Sequence, residues 1–164
     1  MKHIISVLVE NKFGVLARVA GLFSARGFNI TSLSVGETAE PTVSRMTIIS
    51  SGDDQIIEQV IKQLRRLVDV IKVSDLTEED YVDREMVLVK VNADAKVRSE
   101  LMQIIDIFRT KIIDVAPRSF IVEATGDNDK VNALIDLLRP FGIKEIARTG
   151  CVAMSRGNKN KNKL

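Results

Sequence analysis

Residues 2–9 form a short apolar, β-branched run that predicts a first strand, and Asn11-Lys12-Phe13-Gly14 interrupts it. Helical spacing follows. Leu16, Val19, Ala20 and Phe23 recur at i, i+3, i+4 and i+7, with Val15 and Leu22 widening the apolar face and Gly27 closing the helix. Residues 28–37, rich in Ile, Thr, Ser and Val, predict a second strand, Glu40-Pro41 marks a turn, and residues 43–50 predict a third strand. In that third strand Met46 and Ile48 share one face, and Val43, Arg45 and Thr47 the other. Gly52-Asp53-Asp54 supplies a break and an N-cap; Ile57, Val60, Ile61, Leu64 and Leu67 mark a second amphipathic helix, and Val68–Leu76 a closing strand.

The order strand, helix, strand, strand, helix, strand is the split βαβ, or ferredoxin-like, arrangement: one antiparallel sheet with two helices on one face. It predicts a first domain over residues 1–77. Residues 78–83 lack periodicity and predict a linker. The same order then repeats over 84–155: strand Met86–Val91, a helix carrying Val97, Leu101, Ile104, Ile105 and Phe108, strands 111–115 and 119–125 around Pro117. A helix with Val131, Leu134, Ile135 and Leu138 follows, then a last strand Ile143–Ala153. The fold class is therefore α+β, two βαββαβ domains, repeated in pattern rather than in residues. Residues 156–164, with four basic groups and no acid, predict a disordered basic tail.

That tail changes the meaning of the composition. The 164 residues carry a net charge of +2, but residues 1–155 hold 20 basic and 22 acidic side chains, net −2. The folded part is mildly acidic. An RNA-binding module of the same topology would need aromatics on its sheet face, and the third strand has none, which argues against nucleic acid. With one His and one Cys, neither a Cys/His zinc site nor an internal disulfide can be assembled. A Ser-His-Asp relay would have to use His3 in the first strand, so no catalytic residue is assigned. Lys12 and Arg18 lack a partner for hydrolytic chemistry. Cys151 reads as a core thiol in a reducing compartment, and the apolar N-terminal stretch is too short for a signal peptide. No segment approaches the roughly 18 apolar residues of a membrane span. A cytoplasmic protein without a membrane partner is expected.

The segment Glu10 to Arg18 joins the first strand to the first helix. Unpaired amides at a helix N-terminus carry the positive end of the helix dipole and suit a carboxylate. Gly14 permits close approach or positive φ, and Asn11 offers both donor and acceptor. By themselves the residues admit two readings, a plain glycine turn or a loop that holds the charged ends of a free amino acid. Asn29 likewise reads as a turn residue or a ligand contact, and Arg45 as a partner contact or half of a cross-strand pair.

This loop resembles the ligand loop of an ACT domain, a small-molecule-sensing ferredoxin-like module. The strings HIISVLVENKFGVLARVAGLFSARGFNI, SLSV, SRMTI, IEQVIKQLRRLVDVIKV, REMVLVKV, IIDV and RTGCVAMSRG resemble the regulatory small subunit of acetohydroxyacid synthase, or acetolactate synthase, from about residue 2 to 157. The resemblance implies a chain that binds a catalytic large subunit, raises its activity and confers feedback inhibition by a branched-chain amino acid, usually valine. Thiamine diphosphate, magnesium and FAD would belong to that large subunit, and none to this chain. It further implies a homodimer with the effector between two ACT domains. Asn11, Gly14, Val15 and Leu16 of one chain and Asn29 and Ile30 of the other would hold it. Lys12-Phe13 stands where small or acidic residues are more usual. An ACT module of another regulated enzyme would normally be fused to a catalytic domain.

Overall fold

The computed structural model describes residues 1–157, which form two units, Met1–Val82 with the segment from Cys151 onward, and Asp83–Gly150. In the first unit, β1 (Lys2–Glu10), β2 (Ile30–Glu37), β3 (Val43–Ser51) and β4 (Val70–Asp75) make an antiparallel sheet in the order β2-β3-β1-β4. Helices α1 (Val15–Ala25) and α2 (Asp54–Leu64) cover one face. Alternation decides what they cover: Ile5, Val7 and Val9 of β1 and Met46 and Ile48 of β3 point toward Val19, Phe23, Ile57 and Leu64. Each such side chain, when fully buried, contributes about 1.5–3 kcal/mol. The expected βαββαβ order is the observed one.

Strand ends differ from the sequence expectation for packing reasons. Phe28 belongs to the apolar core rather than to a strand, so β2 starts at Ile30. At the other edge Val68 is exposed and β4 begins only at Val70. The expected linker 78–83 is partly strand, since β5 runs Tyr81–Asn92.

The second unit repeats the plan. Its strands β5, β6 (Lys111–Ala116), β7 (Ser119–Gly126) and β8 (Ile143–Arg148) lie in the order β6-β7-β5-β8, with α3 (Arg98–Ile107) and α4 (Asn128–Leu138) packed on Val87, Val89, Val91 and Val122. The expected single strand Ile143–Ala153 is two elements. After β8 the chain turns at Gly150, whose φ of +83° suits glycine, and continues as β9 (Val152–Ser155). Cys151 and Ala153 then bury against Ile4, Ile49 and Leu76 of the first unit, and Cys151 N–H donates to Ser32 Oγ at 2.8 Å. The end of the chain thus belongs with the first unit, not with a domain ending at 155. Nor does Arg156 lie in a loose tail: its N–H donates to Asp80 O at 2.8 Å and its guanidinium to Asp80 Oδ1 at 3.1 Å. The remainder of the expected basic tail lies outside the described residues.

Candidate functional site

The loop after β1 is pinned on both sides by its backbone. Glu10 N–H donates to Asp69 O at 2.8 Å, and Asn11 N–H donates to Thr42 O at 2.7 Å. The Asn11 side chain reaches the far end of the edge strand, donating to Glu37 Oε1 at 3.1 Å and to Pro41 O at 3.0 Å. Lys12 lies 2.7 Å from Glu10; its hydrogen bond and charge hold the Glu10 carboxyl below the usual carboxylate range and raise Lys12 in turn.

Gly14 sits at the N-cap of α1 in the left-handed region, φ +82° and ψ −6°. A side chain there would be strained, yet a Cβ would meet nothing within 4 Å, so the space over the loop is open. Helix α1 has neither a side-chain cap nor an acid in its first turn. By contrast Asp53 caps α2 through Gln55 N–H, and Asp127 caps α4 through Lys130 N–H. Val15 N–H reaches Lys12 O at 3.5 Å, so the next amides of the first turn, those of Leu16 and Ala17, are the ones open to an anion, helped by the dipole. Val15 is buried. Beneath it a cavity of about 210 Å³ is lined by Val15, Arg18, Leu67 and Asp69, with Arg18 and Asp69 paired at 2.8 Å. Phe13 is fully exposed and Leu16 is 43% exposed, the latter on the first turn of α1.

Asn29 and Ile30 lie at the opposite end of the sheet. Register pairs Ile30 with Ser50, and Ser50 with His3, whereas Glu37 pairs with Ser44 beside Val9. Seven residues of strand, roughly 23 Å, separate Ile30 from Glu37. Ser50 Oγ donates to Asn29 O at 2.7 Å, which fixes that backbone and leaves the Asn29 side chain exposed. One chain thus brings together Asn11, Gly14, Val15 and Leu16 but not Asn29 or Ile30. Glu37 and Pro41 join the loop only through the β1-β3 and β2-β3 registers, and nothing local in the sequence announces them.

Other chemistry is sparse. His3 is buried with Nε2 3.1 Å from Asp54 Oδ1, and among the described residues no three His, Cys, Asp or Glu side chains are placed to hold a metal. No helix of the described residues is long and apolar enough to cross a membrane.

A βαββαβ unit with an open, glycine-capped loop beside an edge strand defines an ACT-type regulatory module, and residues 5–72 match the AHAS small subunit-like ACT domain. Residues 84–157 match the family described as small subunit of acetolactate synthase. The probable acetolactate synthase small subunit of Archaeoglobus fulgidus is 60% identical over 159 residues, 97% of this chain and 99% of that protein. The acetolactate synthase small subunit of Aquifex aeolicus is 58% identical over 156 residues, 94% of this chain and 81% of that one. A crystal structure of the acetolactate synthase small subunit from Thermotoga maritima superposes with a TM-score of 0.86 at 49% identity, over 96% of this chain and 99% of that one. The chain belongs to the acetolactate synthase small-subunit family.

Proposed function

We propose that this chain binds the thiamine-diphosphate catalytic subunit of acetolactate synthase, raises its turnover and makes it sensitive to valine or another branched-chain amino acid. The bond-making chemistry is the catalytic subunit's, along with its thiamine diphosphate, magnesium and FAD. This chain, cytoplasmic and without a catalytic site of its own, supplies the sensor.

The observation that carries the proposal is the position of the Asn11–Glu37 contact at one end of an edge strand. Strand β2 presents a free edge from Ile30 to Glu37, and an antiparallel pairing of two copies centred on Leu33 and Ser34 would set the partner's Ile30 opposite Glu37. Asn29 and Ile30, remote from the loop within a chain, then meet Asn11 and Gly14 across the dimer. Leu16 and Val35, each over 40% exposed, border that edge and gain cover from the same pairing. The effector carboxylate takes the α1 amides, and its aliphatic side chain packs between the two chains. Because the ligand touches both copies, it favours one dimer geometry over another, which is the free-energy content of feedback control.

Reconstitution tests this reading. Adding the chain to an acetolactate synthase catalytic subunit should raise turnover and introduce inhibition by valine; unchanged turnover and unchanged valine response would refute it.

A further inference from the structure

The face of the first sheet that the helices leave uncovered is not uniform. At one end Ile4 and Ile49 are buried under Cys151 and Ala153. At the other end lies a separate cleft of about 260 Å³, with Ser6 and Leu8 of β1, Arg45 of β3, and Lys72 and Ser74 of β4 in its walls, and Met154 of β9 at its rim. Register explains the grouping. Arg45 lies across from Leu8, Leu8 across from Lys72, and Ser6 across from both Thr47 and Ser74, so two cations and a row of hydroxyls share one face of three adjacent strands.

The charge in this cleft is uncompensated. Arg45 is half-buried, and its Nη1 donates to Ser6 Oγ at 2.9 Å, which orients the guanidinium over the cleft. The residue directly opposite it is apolar Leu8, and among the described residues no carboxylate lines the cleft. Cross-strand pairing with an acid, the ordinary arrangement for a strand arginine, is absent here. Withdrawing a cation partly from water without a counter-ion costs free energy unless a ligand supplies the opposite charge.

We infer that this cleft is a second ligand site, separate from the α1 loop, for a small organic or inorganic oxyanion that lacks a balancing ammonium group. Arg45 and Lys72 bind the oxyanion, with the Ser74 hydroxyl as a neutral donor. Leu8, Leu76 and Met154 leave room for a short apolar substituent. The same composition rejects free amino acids, because their ammonium group would face two cations and find no carboxylate. The site therefore differs from the effector site in ligand class as well as in position.

Calorimetric titration of the full chain with three probes tests this. Inorganic phosphate represents phosphate esters, isovalerate represents simple carboxylates and has the carbon skeleton of valine without its ammonium, and valine is the zwitterionic control. Saturable binding of phosphate or isovalerate is expected, and whichever binds more tightly identifies the source of the oxyanion. Arg45→Gln and Lys72→Gln should each weaken that binding by about tenfold, as expected for loss of one charge-assisted hydrogen bond. Lys72 is exposed on an edge strand, so its replacement leaves packing intact. Valine binding should be the same in both variants as in the parent chain. Absence of saturable binding by both anions, equal affinity in both variants, or displacement of the bound anion by valine would each overturn the inference.

Discussion

Asn11 and Glu37, 26 residues apart in sequence, are joined by a 3.1 Å hydrogen bond that ties the loop before α1 to the last residue of the edge strand. In the proposed site the bond links the helix N-terminus to the strand that would pair with a second copy.

Asn11→Asp should uncouple them. The substitution removes the donor and sets two carboxylates against each other, and since the contact is exposed the cost in stability stays below about 1 kcal/mol. Valine inhibition of the reconstituted enzyme should weaken by at least about tenfold while activation persists. Thermal unfolding and inhibition curves on the same preparation separate the two effects, and a variant with normal inhibition would remove Asn11 from the site.

Gly14 separates backbone strain from charge. Gly14→Ala costs about 1 kcal/mol, because an L residue must adopt φ +82°, but it clashes with nothing. Binding of valine should survive it. Gly14→Asp adds a carboxylate where the effector's own carboxylate is expected and should abolish binding in a calorimetric titration. Equal affinity in the two variants would place the ligand elsewhere.

Much of this was readable from the sequence, for a physical reason. The i, i+3, i+4 spacing of Val19 and Phe23 reports the side of the helix that is buried, and alternation in β1 and β3 reports the side of the sheet. What depends on contacts distant in sequence was not readable. Within Ile143–Ala153 only Gly150 hints at an interruption, and it is the packing of Cys151 on Ile4 and Ile49 that shows the chain changing units there. Asn11 and Gly14 were visible as a loop with binding chemistry, but Glu37 is brought to them by strand register alone. Asn29 and Ile30 carry no local sign of belonging with Asn11, and in a single chain they do not.

Val35→Lys tests the edge. Val35 is 44% exposed on β2, and a lysine there opposes edge-to-edge pairing while its stem still covers the neighbouring apolar surface. Sedimentation should show the parent chain at twice the 18.2 kDa of one copy or more, and the variant shifted toward a single copy with valine sensitivity lost. A variant that keeps the parent mass would exclude β2 as the contact.

Gly52 reports on the core. A Cβ there would run into the Phe28 ring, which is buried against the first-unit core, so Gly52→Ala forces the ring to move. The expected destabilisation is about 1–3 kcal/mol, read as a lower denaturant midpoint with unchanged slope. Phe28→Leu should relieve part of that loss in the double variant, since it removes the atoms that clash.

Cutting the chain after Thr77 should fail for a reason the packing makes explicit. Ile4, Ile49 and Leu76 are each under 5% exposed because Cys151 and Ala153 cover them on the helix-free face. Without residues 151–155 these three side chains face water together, and Ser32 Oγ loses its backbone donor. The truncated chain should therefore self-associate, and light scattering would detect it. Ile4→Thr with Ile49→Thr in the same truncated chain should restore a soluble species, because both side chains lie on that face and neither belongs to the core beneath the helices. A truncated chain that is soluble without those changes would show that the C-terminal strand is dispensable to the first unit. If solubility returns only with them, loss of regulation on truncation cannot be assigned to residues 84–150 until the exposed face has been repaired.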